Sequence, residues 1–211
     1  DGMYWSPAFL PAGTELDRYE CRHGLGYSRL LGEKNGLSAQ LTCFVALSAN
    51  CEVHTLELEN RTGQTRNLRI FGAVEWCLWN ALDDATNFQR NLNVGEVEVE
   101  SGAIYHKTEY RERRNHYAFY SVNAPTEGFD TDRDSFLGRF HGWNAPAAVE
   151  KGACGGSIAS GWYPIAAHEL AVDLAPGEKT TLIFQLGYVE NDPREKFAAP
   201  GIINKKKAHA L

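Results

Sequence analysis

The run of residues 80–93, NALDDATNFQRNLN, places carboxylates, amides and a guanidinium group between two stretches that alternate like strands. Gln89 and Arg90 are its best candidates for chemistry, because an amide and a guanidinium group supply the planar, multidentate donors and acceptors that sugar hydroxyls require. Asp83 and Asp84 do not form a general acid–base pair, since adjacent side chains usually point apart. The run therefore predicts either a sugar-recognition loop or a solvated polar loop. Nearby aromatic residues that would supply stacking faces are Trp76, Trp79 and Phe88.

Other reactive side chains give weaker signals. The seven histidines lack His or Cys neighbours at the spacings of known zinc sites, so no metal site is predicted. Cys21 precedes His23 by two residues, which suggests a thiol with a base. In an extended chain, however, such a pair shares a face simply as neighbours, and catalytic Cys and His usually come from distant segments. We interpret the pair as strand neighbours.

Composition excludes several classes of protein. The formal net charge of -6 and the pI near 5.7 provide no clustered basic face, so nucleic acid is not an expected partner. Five cysteines without a C-x-x-C pair argue against a disulfide framework and predict reduced thiols in the cytoplasm. No apolar run is long enough to cross a membrane as a helix, and the first residues do not resemble a signal peptide.

Period-two alternation indicates an antiparallel β-sandwich. Leu170, Val172 and Leu174 would share one face of a strand, and 180–188 would be the next strand, joined by the turn 175–178. We expect these two strands to pair as a hairpin, and 53–59 to pair in the same way with 67–76. Further strands are expected at 96–100, 103–107 and 116–123. After Glu190 prolines and a lysine run replace the alternation, which predicts a domain over 1–190 and the start of a linker over 191–211.

Seven segments of the chain, in the same order along the sequence, resemble the cellobiose phosphorylase family. The similarity runs from Trp5 to about Asn191, and residues 86–92 of the polar run belong to it. The segments cover residues 19–28, 32–36, 75–80, 86–92, 104–117, 128–136 and 159–164.

The resemblance implies a β-supersandwich of the galactose-mutarotase type that precedes a helical linker and an α/α barrel. Members are cytoplasmic, usually homodimeric enzymes that split a β-linked glucose disaccharide with inorganic phosphate, inverting the anomeric centre to give α-glucose 1-phosphate and glucose. They use no metal or organic cofactor, and inorganic phosphate is a substrate. The resemblance places Gln89 and Arg90 at the acceptor sugar and the catalytic acid in the barrel, so no catalytic residue is expected in this chain.

Two other hypotheses remain open from the residues. A free-standing carbohydrate-binding β-sandwich would use the same polar run without catalysis. A sandwich enzyme of the sugar-mutarotase type would require a His and a Glu that meet on one concave face.

Overall fold

The computed structural model describes residues 2–77, 82, 95–108, 115–161 and 164–211. Within these ranges the chain is mostly strand, with two five-residue α-helices, α1 (Arg133–Leu137) and α2 (Ala147–Lys151). The strands are β1 (Arg18–Gly24), β2 (Tyr27–Lys34), β3 (Leu37–Val45), β4 (Cys51–Asn60), β5 (Arg66–Glu75), β6 (Gly95–Glu100), β7 (Ala103–Thr108), β8 (His116–Val122), β9 (Gly128–Asp132), β10 (Ser160–Gly161), β11 (Pro164–Leu174), β12 (Lys179–Glu190), β13 (Phe197–Ala199) and β14 (Ile202–Ile203).

The described strands form two layers. The larger layer, sheet A, has the order β1-β2-β3-β4-β12-β8-β7-β6-β10, and the smaller, sheet B, has the order β5-β11-β9. Strands β13 and β14 form a separate hairpin. All of the pairings between neighbouring strands are antiparallel, which confirms the predicted antiparallel β-sandwich.

Both predicted hairpins are wrong in their pairing, although their strands and turns exist. Strand β11 pairs with β5 and β9 in sheet B, whereas β12 pairs with β4 and β8 in sheet A. The connections β4–β5 and β11–β12 therefore cross from one sheet to the other. We call each of these strand–connection–strand units an arch. Alternation shows which side chains of a strand are apolar, but it does not show which sheet the strand joins. The two strands of an arch belong to different sheets and still bury one face in the same intersheet space.

The main core fills the space between the sheets. Alternate residues of the strands that line it enter it, such as Ile104 of β7 and Tyr120 of β8, while Tyr105 and Phe119 lie on the outer face of sheet A. The ring of Tyr120 stacks on Phe184, with centroids 5.9 Å apart. The buried members of this core are Ala39, Leu56, Leu58, Trp76, Ile104, Ala118, Tyr120, Ala166, Leu170, Leu174, Leu182 and Phe184.

Asn60, which is fully buried, connects the two arches. Its Nδ2 donates to the carbonyl oxygens of Gln64 at 2.8 Å, Leu174 at 2.9 Å and Ala175 at 3.1 Å. Its Oδ1 accepts from the backbone N of Thr62 at 3.0 Å and from the Thr62 hydroxyl at 2.7 Å. One side chain thus provides hydrogen-bond partners for backbone groups in both connections between the sheets. Hydrogen bonds between paired strands cannot do this, because the connections lie outside the strands.

The segment after Glu190 packs against the outer face of sheet A. Ile203 and Ala208 are buried in a cluster with Tyr105 and Tyr117. Burial alone would lower the pKa of Lys205, but hydrogen bonds with Glu100 and Glu98 raise it overall and keep the ammonium charged. Residues 203–208 are therefore anchored to the sandwich by apolar and ionic contacts. The domain boundary at 190 and the linker over 191–211 remain predictions.

Candidate functional site

Gln89 and Arg90, the predicted sugar-binding residues, lie outside the described residues, as do Trp79 and Phe88. The strands that flank this run show where the chain leaves and re-enters the sandwich. Strand β5 ends at Glu75, which pairs with Ile165, and β6 begins at Gly95, which pairs with Gly161. We call this part of the molecule the Glu75 end and consider it the candidate site.

A carboxylate at the Glu75 end is oriented by two donors. Arg133 Nε donates to Glu75 Oε1 at 3.1 Å, and Trp143 Nε1 donates to the same oxygen at 3.2 Å. Asp132 positions the arginine, because its carboxylate caps α1 by accepting the Ser135 backbone N–H at 2.7 Å. Arg133 and Glu75 side chains are 28% and 29% exposed, so both reach solvent.

This ion pair has the chemistry to bind hydroxyl-rich ligands. A partly exposed guanidinium group donates, and a carboxylate accepts, hydrogen bonds of the charge-assisted kind. Sequence reasoning missed Glu75, Arg133 and Trp143 as a group, because they come from β5, α1 and the segment after α1 and have no shared local motif. Only the fold brings them together.

Trp76 is not a stacking face for sugar, contrary to the sequence-based expectation. It is 7% exposed and stacks on His106, with ring centroids 5.4 Å apart and planes inclined by 20°. Trp76 Nε1 and His106 Nδ1 are both buried without a hydrogen-bond partner among the described residues. Trp76 is therefore a core residue that fixes the end of β5 against sheet A.

His106 is held neutral at physiological pH. Burial lowers its pKa to about 4, although a hydrogen bond to the backbone of Glu96 favours the charged form. A buried imidazole with a depressed pKa resists protonation, because the charged ring would lose its hydration. His106 is thus a structural group under the candidate site and not an acid catalyst at neutral pH.

We expect the pKa of His106 to limit stability in acid. The unfolded chain takes up a proton near the ordinary histidine pKa of about 6.5, but the folded chain does so only near pH 4, so folding stability falls between these values as pH falls. The difference corresponds to about 3 kcal/mol. Urea unfolding of the native protein and of His106→Gln at about pH 7 and about pH 4.5 measures it. The variant should lose clearly less stability than the native protein over this interval, and equal losses would contradict the assignment.

A mutarotase-like pair is not formed by the buried His and Glu of β11. His168 lies in the intersheet core, where Nε2 is 3.1 Å from the Tyr120 carbonyl oxygen. Glu169, the next residue, projects from the opposite face of β11, where its carboxylate accepts from the Cys154 backbone N–H at 2.8 Å and lies 3.3 Å from Arg69. Adjacent strand residues face opposite sides, so these two groups cannot act on one ligand.

The part of the chain that the structure describes offers neither a metal site nor a membrane-spanning helix. No group of three or more His, Cys, Asp or Glu side chains there could hold a metal ion. No helix in the same residues is long and apolar enough to span a membrane.

Comparison with known families assigns the fold. The sequence matches the supersandwich domain of glycosyl hydrolase 94 over residues 1–208. The chain belongs to the glycosyl hydrolase 94 family. This confirms the predicted β-supersandwich. It also confirms the predicted relationship as far as glycosyl hydrolase 94, but does not single out cellobiose phosphorylase within that family.

Relatives of this glycosyl hydrolase 94 domain include much longer enzymes. The N,N'-diacetylchitobiose phosphorylase of Vibrio furnissii is 32% identical over 190 residues, which are 88% of this chain and 24% of the relative. The solabiose phosphorylase of Paenibacillus borealis is 30% identical over 218 residues, which cover 100% of this chain and 28% of the relative. The chain thus spans about a quarter of the length of these relatives. A solved GalM/aldose epimerase homologue from C. elegans aligns over 82% of this chain and 69% of its own, with 12% identity and a TM-score of 0.48.

Proposed function

We propose that this chain is the sandwich domain of a cytoplasmic, homodimeric glycoside phosphorylase, to which it supplies acceptor-sugar contacts and assembly surface. The two substrates are cellobiose, which is a β-linked glucose disaccharide, and inorganic phosphate. The products are α-glucose 1-phosphate and glucose. The observation that carries the proposal is the family match over residues 1–208, together with phosphorylase relatives of which the chain spans about a quarter. The rest of the enzyme is its partner.

The roles of the residues follow from inverting phosphorolysis. A phosphate oxygen attacks the anomeric carbon from the face opposite the leaving sugar, and an acid protonates the glycosidic oxygen. In our proposal the acid belongs to the remainder of the enzyme, and no metal or organic cofactor takes part. Gln89 and Arg90 hold the hydroxyls of the leaving glucose, which fixes the glycosidic oxygen relative to the acid. The oriented Glu75–Arg133 pair supports the proposal, because it adds polar groups at the end of β5, the strand that precedes residues 80–93 in the sequence.

The isolated 211-residue chain should release no α-glucose 1-phosphate from cellobiose and phosphate, because the catalytic acid lies elsewhere in the enzyme. The protein expressed from the complete open reading frame that encodes this chain should release it. A coupled phosphoglucomutase assay measures both. Turnover by the isolated chain that disappears when one of its own residues is mutated would contradict the assignment of catalysis.

The same assay tests the disaccharide. Cellobiose and N,N'-diacetylchitobiose, each with phosphate, are compared with the complete protein. We expect the larger kcat/KM with cellobiose. Preference for the N-acetylated disaccharide would retain the phosphorylase assignment and overturn the proposed substrate.

A further inference from the structure

Three side chains on the edge hairpin β1–β2 form a hydrogen-bonded chain. Cys21 Sγ lies 3.3 Å from His23 Nε2, and His23 Nδ1 lies 2.9 Å from Ser28 Oγ. His23 and Ser28 are direct partners across the two strands, and Cys21 lies two residues before His23 on the same face. From the sequence alone we interpreted Cys21 and His23 as strand neighbours. Ser28, on the opposite strand, adds a third group that the two-residue spacing of Cys21 and His23 does not reveal.

The arrangement has the order nucleophile, base and orienting group. When the Nδ1–H donates to Ser28 Oγ, the lone pair of Nε2 faces the Cys21 thiol and can accept its proton. The hydroxyl then holds the imidazole ring in the tautomer and orientation that this transfer needs. A thiol with a neighbouring base and a third group that orients the base is the usual construction of an activated cysteine.

The thiol is also accessible. Cys21 and His23 are both exposed, and β1 is the first strand in the order of sheet A, with β2 as its partner in the described sheet. Three other cysteines are protected: burial raises the pKa of the thiols of Cys43, Cys51 and Cys154, and nearby carboxylates raise it further. Reactivity requires the thiolate and access to it, and Cys21 combines a neighbouring imidazole with exposure to solvent, whereas these three thiols are buried or partly buried.

We propose that Cys21 is a site of oxidation by hydroperoxides, with His23 as the proton acceptor and Ser28 as the residue that positions it. Cys21 Sγ attacks the terminal oxygen of the peroxide, so an S–O bond forms and the O–O bond breaks. His23 takes the thiol proton and returns it to the leaving oxygen. Sulfur is oxidised by two electrons to a sulfenic acid, and the hydroperoxide is reduced to an alcohol, or hydrogen peroxide to water.

The test uses hydrogen peroxide as the oxidant, dimedone to trap the sulfenic acid, and peptide mass spectrometry to locate the label. We expect label at Cys21 to appear before label at Cys43, Cys51 or Cys154. His23→Ala should slow the labelling of Cys21 about tenfold, which is a modest effect for the loss of a positioned base. Ser28→Ala should slow it less, because the base remains but loses its orientation.

His54→Ala is the matched control. His54 lies on β4, three strands from β1 in sheet order, and its Nε2 contacts Glu52 Oε1 at 2.8 Å. This variant should label Cys21 at the native rate, and circular dichroism establishes that all variants fold. An unchanged rate of Cys21 labelling in folded His23→Ala, or labelling of Cys43, Cys51 or Cys154 before Cys21, would overturn the proposal. Iodoacetamide alkylation of Cys21 in the same variants provides a second readout of thiol nucleophilicity and should follow the same order.

Discussion

Replacing Asn60 with alanine is expected to lower the free energy of unfolding by about 3 kcal/mol, because a buried side chain with several hydrogen bonds is lost. The alanine would leave the carbonyl oxygens of Gln64 and Leu174 and the backbone N–H of Thr62 without these partners. Buried backbone groups without partners cost more than the hydrogen bonds contribute net in the native state. Urea denaturation followed by circular dichroism measures the change.

Asn67→Ala is the matched control for this substitution. Asn67 also donates through Nδ2, to Asp173 Oδ1 at 2.6 Å, but this contact is exposed. Its loss should change the free energy of unfolding by less than about 0.5 kcal/mol, as for most surface substitutions. If Asn60→Ala is no more destabilising than Asn67→Ala, the side chain does not hold the arches, and the account of the connections between the sheets is wrong.

Asn60 also shows what the sequence can and cannot specify about the fold. Alternation in β11 and β12 located the strands, and the Pro-Gly pair located the turn. Pairing was mispredicted because two strands joined by a short turn can bond edge to edge or face each other across a core with the same pattern. The choice here depends on long-range contacts such as the hydrogen bond from Asn60 to Leu174, which are 114 positions apart. Local patterns do not contain that information.

The candidate site was predictable to a similar extent. The polar run was recognisable from its residue types, and the resemblance gave Gln89 and Arg90 a role that remains a prediction. Trp76 was misassigned, because an aromatic residue beside a polar run has the same sequence signature whether it faces solvent or, as here, stacks on a buried histidine. Glu75 and Arg133 could not be paired from sequence, since they are 58 positions apart and meet through packing of α1 beside β5.

Arg90→Lys in the complete enzyme is expected to weaken binding of the acceptor sugar. The guanidinium group gives two fixed donors to neighbouring hydroxyls, a geometry that the single ammonium of lysine cannot copy. Loss of a charge-assisted hydrogen bond corresponds to roughly 1.5–3 kcal/mol, or about a tenfold to hundredfold change in an equilibrium constant. Gln89→Ala should act in the same direction by a smaller factor, because a neutral amide makes weaker hydrogen bonds.

The central claim, that this sandwich supplies acceptor-sugar contacts to a phosphorylase, is tested most directly by steady-state kinetics of disaccharide synthesis. Glucose is varied at saturating α-glucose 1-phosphate, and then α-glucose 1-phosphate is varied at saturating glucose, for the native enzyme, Arg90→Lys and Gln89→Ala. We predict that the KM for glucose rises in both variants, more in Arg90→Lys, while the KM for α-glucose 1-phosphate stays near the native value. Native KM and kcat for glucose in both folded variants would contradict the claim and identify the run of residues 80–93 as solvated surface.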